Sequence, residues 1–275
     1  MKYRFYLFAL ILPCFITLLF TECKFKPTVS VAAPGKTPSP ETTTTSHLIF
    51  EENFEGKNPF STSRNKETGD WDYALQYVTD PVFQGHQAAR FEIRDDQPLV
   101  KNGKRSEVVI VVGGKGDISK NSWYSFAVYF PALEYGYDSE REIISQWYQD
   151  GSPATTLRTH KDRLILETGN EKDNRKQIDL GPVIKDKWQE YVLHFIHSHG
   201  EDGMIEIWHD GAKILSINGG NMYDDVLPKW KIGLYKAAFK YGTSLVHKRV
   251  IFFDNVKVGN SNATFSEMSP NAEVK

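Results

Sequence analysis

The 275-residue sequence has almost no cysteine: Cys14 and Cys23 are its only two, and both fall within the first 23 residues. The rest of the chain therefore holds no disulfide and no cysteine-based metal site, and its stability must come from an apolar core. A domain of about 210 residues buries enough surface for that. Net charge is also nearly absent. The 33 Lys and Arg against 35 Asp and Glu leave −2, so no global field draws the protein to nucleic acid. There is no zinc-ligand spacing, no phosphate-binding glycine loop and no dinucleotide fingerprint. Long helical periods are missing from residues 47–260, and no motif recurs at a fixed interval. These absences argue against helical bundles, propellers and solenoids.

The two ends differ from the middle. Lys2 and Arg4 precede an apolar run from Phe5 to Phe20, the layout of an export signal. The run is short for a membrane-spanning helix, which needs about 20 apolar residues; an uncleaved anchor is the alternative. Cys23 is a candidate for the lipid-modified first residue of a lipoprotein, although Glu22 stands where such sites favour a small side chain. Residues 1–23 thus read as an export or lipoprotein signal. The protein is expected to be secreted or anchored at the cell surface, with membrane contact only through that lipid or anchor. Residues 24–46 are rich in Pro, Thr and Ser without apolar period, and read as a disordered linker. Residues 47–260 form one domain, expected to be monomeric, and residues 261–275 a loose polar tail.

Aromatic residues make up 13% of the chain, many of them in segments of alternating polarity. Such segments run over residues 88–93, 107–112, 123–130, 142–148, 163–167, 188–196, 204–209, 231–235 and 250–258. Turn pairs separate them: Asn102-Gly103, Gly113-Gly114, Asp150-Gly151, Asp202-Gly203 and Asp210-Gly211. Asn-Gly and Asp-Gly supply the positive φ that tight hairpins need. The fold class is all-β, a sandwich or jelly roll of two antiparallel sheets. Each strand sends alternate side chains to the core and to the opposite face.

Three strands carry unusual polar faces. Arg105 and Glu107 share one, which by itself is also what a solvated surface ion pair looks like. Glu142, Ile144, Gln146 and Tyr148 share another; an amide and a phenol there could equally satisfy backbone groups. Lys231, Gly233 and Tyr235 share the third. A strand glycine marks either a bulge or a close approach of backbone or ligand. Together the strands offer a guanidinium, an amide, a phenol and an ammonium. This set suits a sugar acid. β-Elimination needs the carboxylate at C6 neutralised so that the C5 proton becomes acidic, a base at C5 and an acid at the departing O4. A cation beside Tyr235 is expected to lower its pKa.

The motifs RSE (Arg105 to Glu107), IISQW (Ile143 to Trp147) and KIGLY (Lys231 to Tyr235), in that order, resemble those of the jelly-roll polysaccharide lyases, of the heparin lyase I and glucuronan lyase type. WYSFAVYFP (Trp123 to Pro131) and the closing FFDNVKVG support the likeness, which extends over nearly the whole domain. It implies a concanavalin-like jelly roll with a concave groove and an acidic polysaccharide as substrate. It also implies Tyr235 as acid and conceivable base, Gln146 and Arg105 as carboxylate neutralisers, and Lys231 as a supporting cation. Relatives often carry His two residues after the Gln; here Tyr148 stands there, and either it takes that role, or another His reaches in, or the activity is altered or lost. Glu107, Arg158, His160 and His194 complete the candidate substrate contacts, a lone His being more often satisfied by backbone. Glu52 and Gly56 near the start and Asp254 near the end are candidate ligands for a structural Ca²⁺, or an ordinary acidic edge. The rival readings are a glycoside hydrolase, which needs two carboxylates about the scissile bond, and a non-catalytic carbohydrate-binding protein.

Overall fold

Among the described residues fifteen strands and two single-turn helices succeed one another: β1 (Leu48–Glu52), β2 (Asn65–Glu67), β3 (Leu75–Val78), β4 (Ala88–Arg94), β5 (Arg105–Val111), β6 (Asn121–Tyr129), β7 (Glu142–Gln149), β8 (Ser152–His160), β9 (Arg163–Thr168), β10 (Lys176–Pro182), β11 (Trp188–Ile196), β12 (Met204–His209), β13 (Ala212–Asn218), β14 (Lys229–Tyr235), α1 (Ala238–Tyr241), β15 (Lys248–Gly259) and α2 (Phe265–Met268). The computed structural model describes residues 46–61, 65–114, 117–149 and 151–271. The expected signal and all of the linker but Ser46 lie outside these residues.

The back sheet runs β13-β12-β11-β6-β15-β4-β3, with β1 also paired to β15; the groove sheet runs β10-β9-β8-β7-β14-β5-β2. Every pairing between named strands is antiparallel, so the expected sandwich of two antiparallel sheets is what forms. Its core is aromatic. Trp147 lies 4.5 Å from Phe195 and 5.3 Å from Tyr124, which lies 4.9 Å from Trp230. Such pairs contribute roughly 0.5–1.5 kcal/mol each beyond their buried area. The Trp230 indole N–H donates to Ser145 Oγ at 2.9 Å, and the Tyr124 hydroxyl meets His197 Nε2 at 2.9 Å. Burial holds His197 at about 3, so this imidazole is neutral.

At one end of the groove sheet lies a buried charge cluster. Lys236 Nζ sits 3.0 Å from both Asp138 Oδ2 and Glu142 Oε2, and Arg249 Nε donates to Glu142 at 2.8 Å. Thr159 Oγ1 donates to the other Glu142 oxygen at 2.9 Å. Four charges with mutual partners offset the cost of their desolvation. The cluster ties β7, the end of β14 and β15 to the loop that carries Asp138.

The tail is not loose through Asn271. Thr264 and Glu267 form a capping box on α2, and Met268 and Ala263 bury against Trp123 and Val192. Lys257 Nζ donates to the carbonyl of Ser269 at 3.1 Å. Apolar burial and the cap together order a segment that composition alone marks as free.

Candidate active site

Register places one polar residue per strand in a line across the groove sheet. Lys231 on β14 pairs with Gln146 on β7, Gln146 with Thr156 on β8, Thr156 with Glu167 on β9, and Glu167 with Gln177 on β10. A second line runs Arg105, Tyr235, Ile143, Arg158. Lys231 and Gln146 of the first line and all four residues of the second border a groove of about 830 Å³. The sequence places Ile144 on the face of Gln146. The structure does not, because β7 carries an extra residue between Ile143 and Ser145. Ile144 joins the core and Ile143 turns to the groove. A bulge breaks the period of two.

Glu67, on the three-residue edge strand β2, organises the cations. Its Oε2 accepts from Lys231 Nζ at 2.8 Å and from Arg105 at 3.0 Å, while its Oε1 accepts from Lys101 at 3.0 Å. Burial pushes the carboxyl up, but the bonds and charges of Lys231 and Lys101 outweigh it and hold it at about 2. Glu107 lies beneath, accepting from Arg105 at 3.2 Å and from the Gln146 amide. It is 1% exposed; its carboxylate orients those two side chains and does not line the groove, contrary to its expected place among the substrate contacts.

The Arg105 guanidinium stacks 4.7 Å from the Tyr235 ring centroid. Proximity of this cation does not produce the expected lowering. Burial dominates and, with Glu107 adding to it, raises the Tyr235 phenol above its usual range against the pull of Arg105. A raised phenol is protonated at neutral pH and suits an acid. Gly233 is also clarified. Its φ is +125°, and a Cβ there would lie 2.3 Å from the Ser106 carbonyl oxygen and 2.8 Å from Glu107 Cα. The close approach it permits is that of backbone, and no ligand space opens there.

Tyr148 lines the groove with Lys231 Nζ 4.8 Å from its ring centroid. Lys231 pairs with Gln146, and β7 carries Tyr148 two residues to one side of that pair while Tyr235 lies to the other. Arg158 and His160 line the groove from β8. Burial, then Arg141 and Lys161, lower the His160 pKa and keep it neutral. His160 lies four residues beyond Thr156, roughly 13 Å along the strand from the Gln146 line. His194 does not reach the groove. It belongs to β11 in the back sheet, stacked 4.0 Å from Trp123 and held between Glu206 at 3.1 Å and Asn121 at 2.9 Å.

Sequence reasoning missed Glu67, Lys101, Arg141, Arg175 and Lys229, which all line the groove. Lys229 extends the alternation of Lys231, Gly233 and Tyr235 by one step; the other four stand in no pattern of alternating polarity, so no local signal marks them. With these, seven cationic side chains face three carboxylates among the described lining residues, in a chain whose overall charge is −2. Beyond Tyr148 the groove continues into a depression of about 430 Å³ that shares Tyr148, Gly151 and Lys229.

Calcium is expected at Glu52, Gly56 and Asp254. Both Glu52 oxygens accept backbone N–H groups, of Phe54 and of Phe60, and Gly56 is exposed. Asp254 accepts from Phe83 at 3.1 Å, Gln84 at 3.3 Å and Asn255 at 2.8 Å. Its neighbour is Glu55, which accepts from His86 at 2.7 Å and Gln87 at 3.0 Å. Burial chiefly, and the Glu55 charge in addition, raise Asp254 to about 7. Asp254 on β15 and Glu55 after β1 both accept N–H groups of residues 83–87, and these two mutually repelling carboxylates form a hard-oxygen pair that fits calcium in kind. Among the described residues no three acidic, His or Cys side chains converge, so further ligands would be carbonyl or amide oxygens.

Fold and groove define a jelly-roll protein with a cation-lined cleft across one sheet. A family model, polysaccharide lyase, matches residues 52–257, and the chain belongs to that family: it is a lyase. Among solved structures it is similar to an endo-β-1,4-glucuronan lyase from the fungus Trichoderma reesei, at 19% identity and a TM-score of 0.65, covering 82% of this chain and 100% of that one. It is also similar to a marine alginate lyase from Zobellia galactanivorans, at 13% identity and a TM-score of 0.48, covering 69% of this chain and 81% of that one. No curated protein sequence matches the chain.

Proposed function

We propose that the groove binds a polyuronide chain and cleaves it by β-elimination. The carrying observation is the excess of cations along the groove, with Tyr235 and Tyr148 on opposite sides of the Gln146–Lys231 pair. A uronate ring seated over that pair directs its carboxylate to the Gln146 amide and the Lys231 and Arg105 cations, which stabilise the charge that develops as C5 loses its proton. Tyr148, entering the step as its phenolate, takes that proton and becomes a phenol. The C5–H electron pair forms the C4–C5 double bond, the C4–O4 bond breaks, and Tyr235 protonates O4. Water is not consumed.

Hydrolysis is disfavoured by the acids themselves. Glu67 is held ionised by its cations, and Glu142 is locked in the buried cluster with Lys236 and Arg249. Neither is free to donate a proton to a leaving group, and Glu140, the third carboxylate of the described lining, cannot alone supply the pair that hydrolysis needs. The fungal structural match makes polyglucuronate the first polymer to test. A panel of polyglucuronate, alginate and heparin-like chains, followed by ultraviolet absorbance of the unsaturated uronate, checks the reading. Absence of that product with every polymer overturns it in favour of a binding protein. Retained activity in Tyr148→Phe would move the base to another group. We also propose a monomer exported to the cell surface or medium, and a structural calcium at Asp254 and Glu55.

A further inference from the structure

Two strands from Gln146, on the same polar line, three guanidiniums share one carboxylate. Glu167 Oε1 lies 3.2 Å from Arg175 Nε, and its Oε2 lies 3.3 Å from Arg158 Nε and 3.6 Å from Arg141. Glu167 is 4% exposed, whereas all three arginines border the groove. Their other contacts are neutral: Arg158 Nε donates to Thr156 Oγ1 at 2.9 Å and Arg175 to the Pro153 carbonyl at 2.8 Å, while Arg141 reaches Gln177. Two positive charges are left without a protein counter-charge among these partners.

We propose that the Arg141–Arg158–Arg175 trio is a second carboxylate-binding subsite, which grips a uronate of the same polysaccharide about one disaccharide away from the ring being cleaved. The inference rests on the reading that the groove takes a polyuronide. Its spacing comes from register. Gln146 to Thr156 to Glu167 is two inter-strand steps, roughly 10 Å, the span of a disaccharide lying across the strands. In a 1,4-linked chain with alternating ring orientation, carboxylates two rings apart point the same way. One bound at Gln146 therefore brings another over Glu167. The electrostatics agree: burial above all, and repulsion from Arg175 and Arg141 against the attraction of Glu167, pull Arg158 down to about 10. An incoming carboxylate relieves that repulsion, and planar guanidiniums meet it with paired hydrogen bonds. Tyr148 and Lys231 contribute nothing here, so the trio acts on binding and chain-length preference.

The test compares Arg175→Gln and Arg141→Gln with wild type. Each leaves Arg158 paired with Glu167, and a melting measurement confirms that the fold is kept. KM for long polyglucuronate should rise roughly tenfold with kcat little changed, while KM for the shortest cleavable oligomer should rise several-fold less. Equal effects on short and long substrates, or no effect on either, overturn the subsite. Binding of polyglucuronate to Tyr235→Phe, with and without Arg175→Gln, is read in parallel by titration calorimetry. If wild type cleaves no polyuronide, the elimination reading fails. A weakening of binding by Arg175→Gln still supports the subsite, and undiminished or absent binding overturns it.

Discussion

Glu67 Oε2 accepts from Lys231 Nζ at 2.8 Å across the intervening strand β5. An edge strand of three residues thereby fixes a cation beside Gln146 in the groove. Replacing it as Glu67→Gln should destabilise the fold by about 3 kcal/mol, because it removes the carboxylate to which buried Lys231 and Arg105 are bonded. The change should be read as the midpoint of urea unfolding.

The same carboxyl sets a pH signature. Its ordinary value of 4.5 falls to about 2 in the folded protein. A depressed carboxyl contributes stability that is complete above the unfolded value and is lost as pH falls through the folded one. Wild type should therefore lose stability between about pH 5 and pH 2, and Glu67→Gln should lose less over that window. Parallel acid-unfolding curves for the two proteins would contradict the assignment.

Tyr235→Phe should lower kcat by roughly 10²–10⁴, the usual worth of a positioned acid, with KM little changed. Because the phenol lies above its ordinary 10.0, loss of its proton should not limit wild-type activity until pH exceeds that value. An alkaline limb attributable to Tyr235 below about pH 10 would show that the group is not buried as described.

Gly233→Ala should cost about 2–4 kcal/mol, since its Cβ would lie 2.3 Å from the Ser106 carbonyl oxygen at a φ of +125°. The strain falls on the pairing of β14 with β5. A denaturation midpoint equal to wild type would refute this placement.

If calcium sits at Asp254 and Glu55, chelation with EDTA should lower the melting temperature by several degrees, on the order of what a loss of about 1 kcal/mol produces. Added calcium should restore it, and Asp254→Asn should abolish the response. A melting curve indifferent to EDTA would remove the metal from the account.

Strands with large apolar residues in alternation were legible in the sequence, and β12 falls on residues 204–209 as expected. β8 was not, because its face toward the groove is Thr156, Arg158 and His160, and among its core-facing residues only Leu157 is a large apolar one. Arg105, Gln146, Lys231 and Tyr235 could be found since they stand in strands with apolar neighbours. Glu67 and Arg175 could not, because β2 is too short to show a period and Arg175 stands outside any strand. Their roles exist only once distant strands are paired. The capping box at Thr264 and Glu267 was visible in the sequence as a Thr followed three residues later by Glu; the polar composition around it concealed it.

The extra residue in β7 works as a spacer. On either side of it the strand keeps the same facing: Ile143 and Gln146 both look into the groove, with Ile144 and Ser145 turned inward between them. Deleting Ser145 would leave alternation regular and every remaining side chain on its present side. It would draw the Glu142 anchor one step, about 3.3 Å, toward Gln146, and would strip Trp230 of its partner. The distance from the buried anchor to the amide is thus set by counting residues, independently of which way they face, and so gives variation a means to lengthen or shorten the cleft without rebuilding its walls.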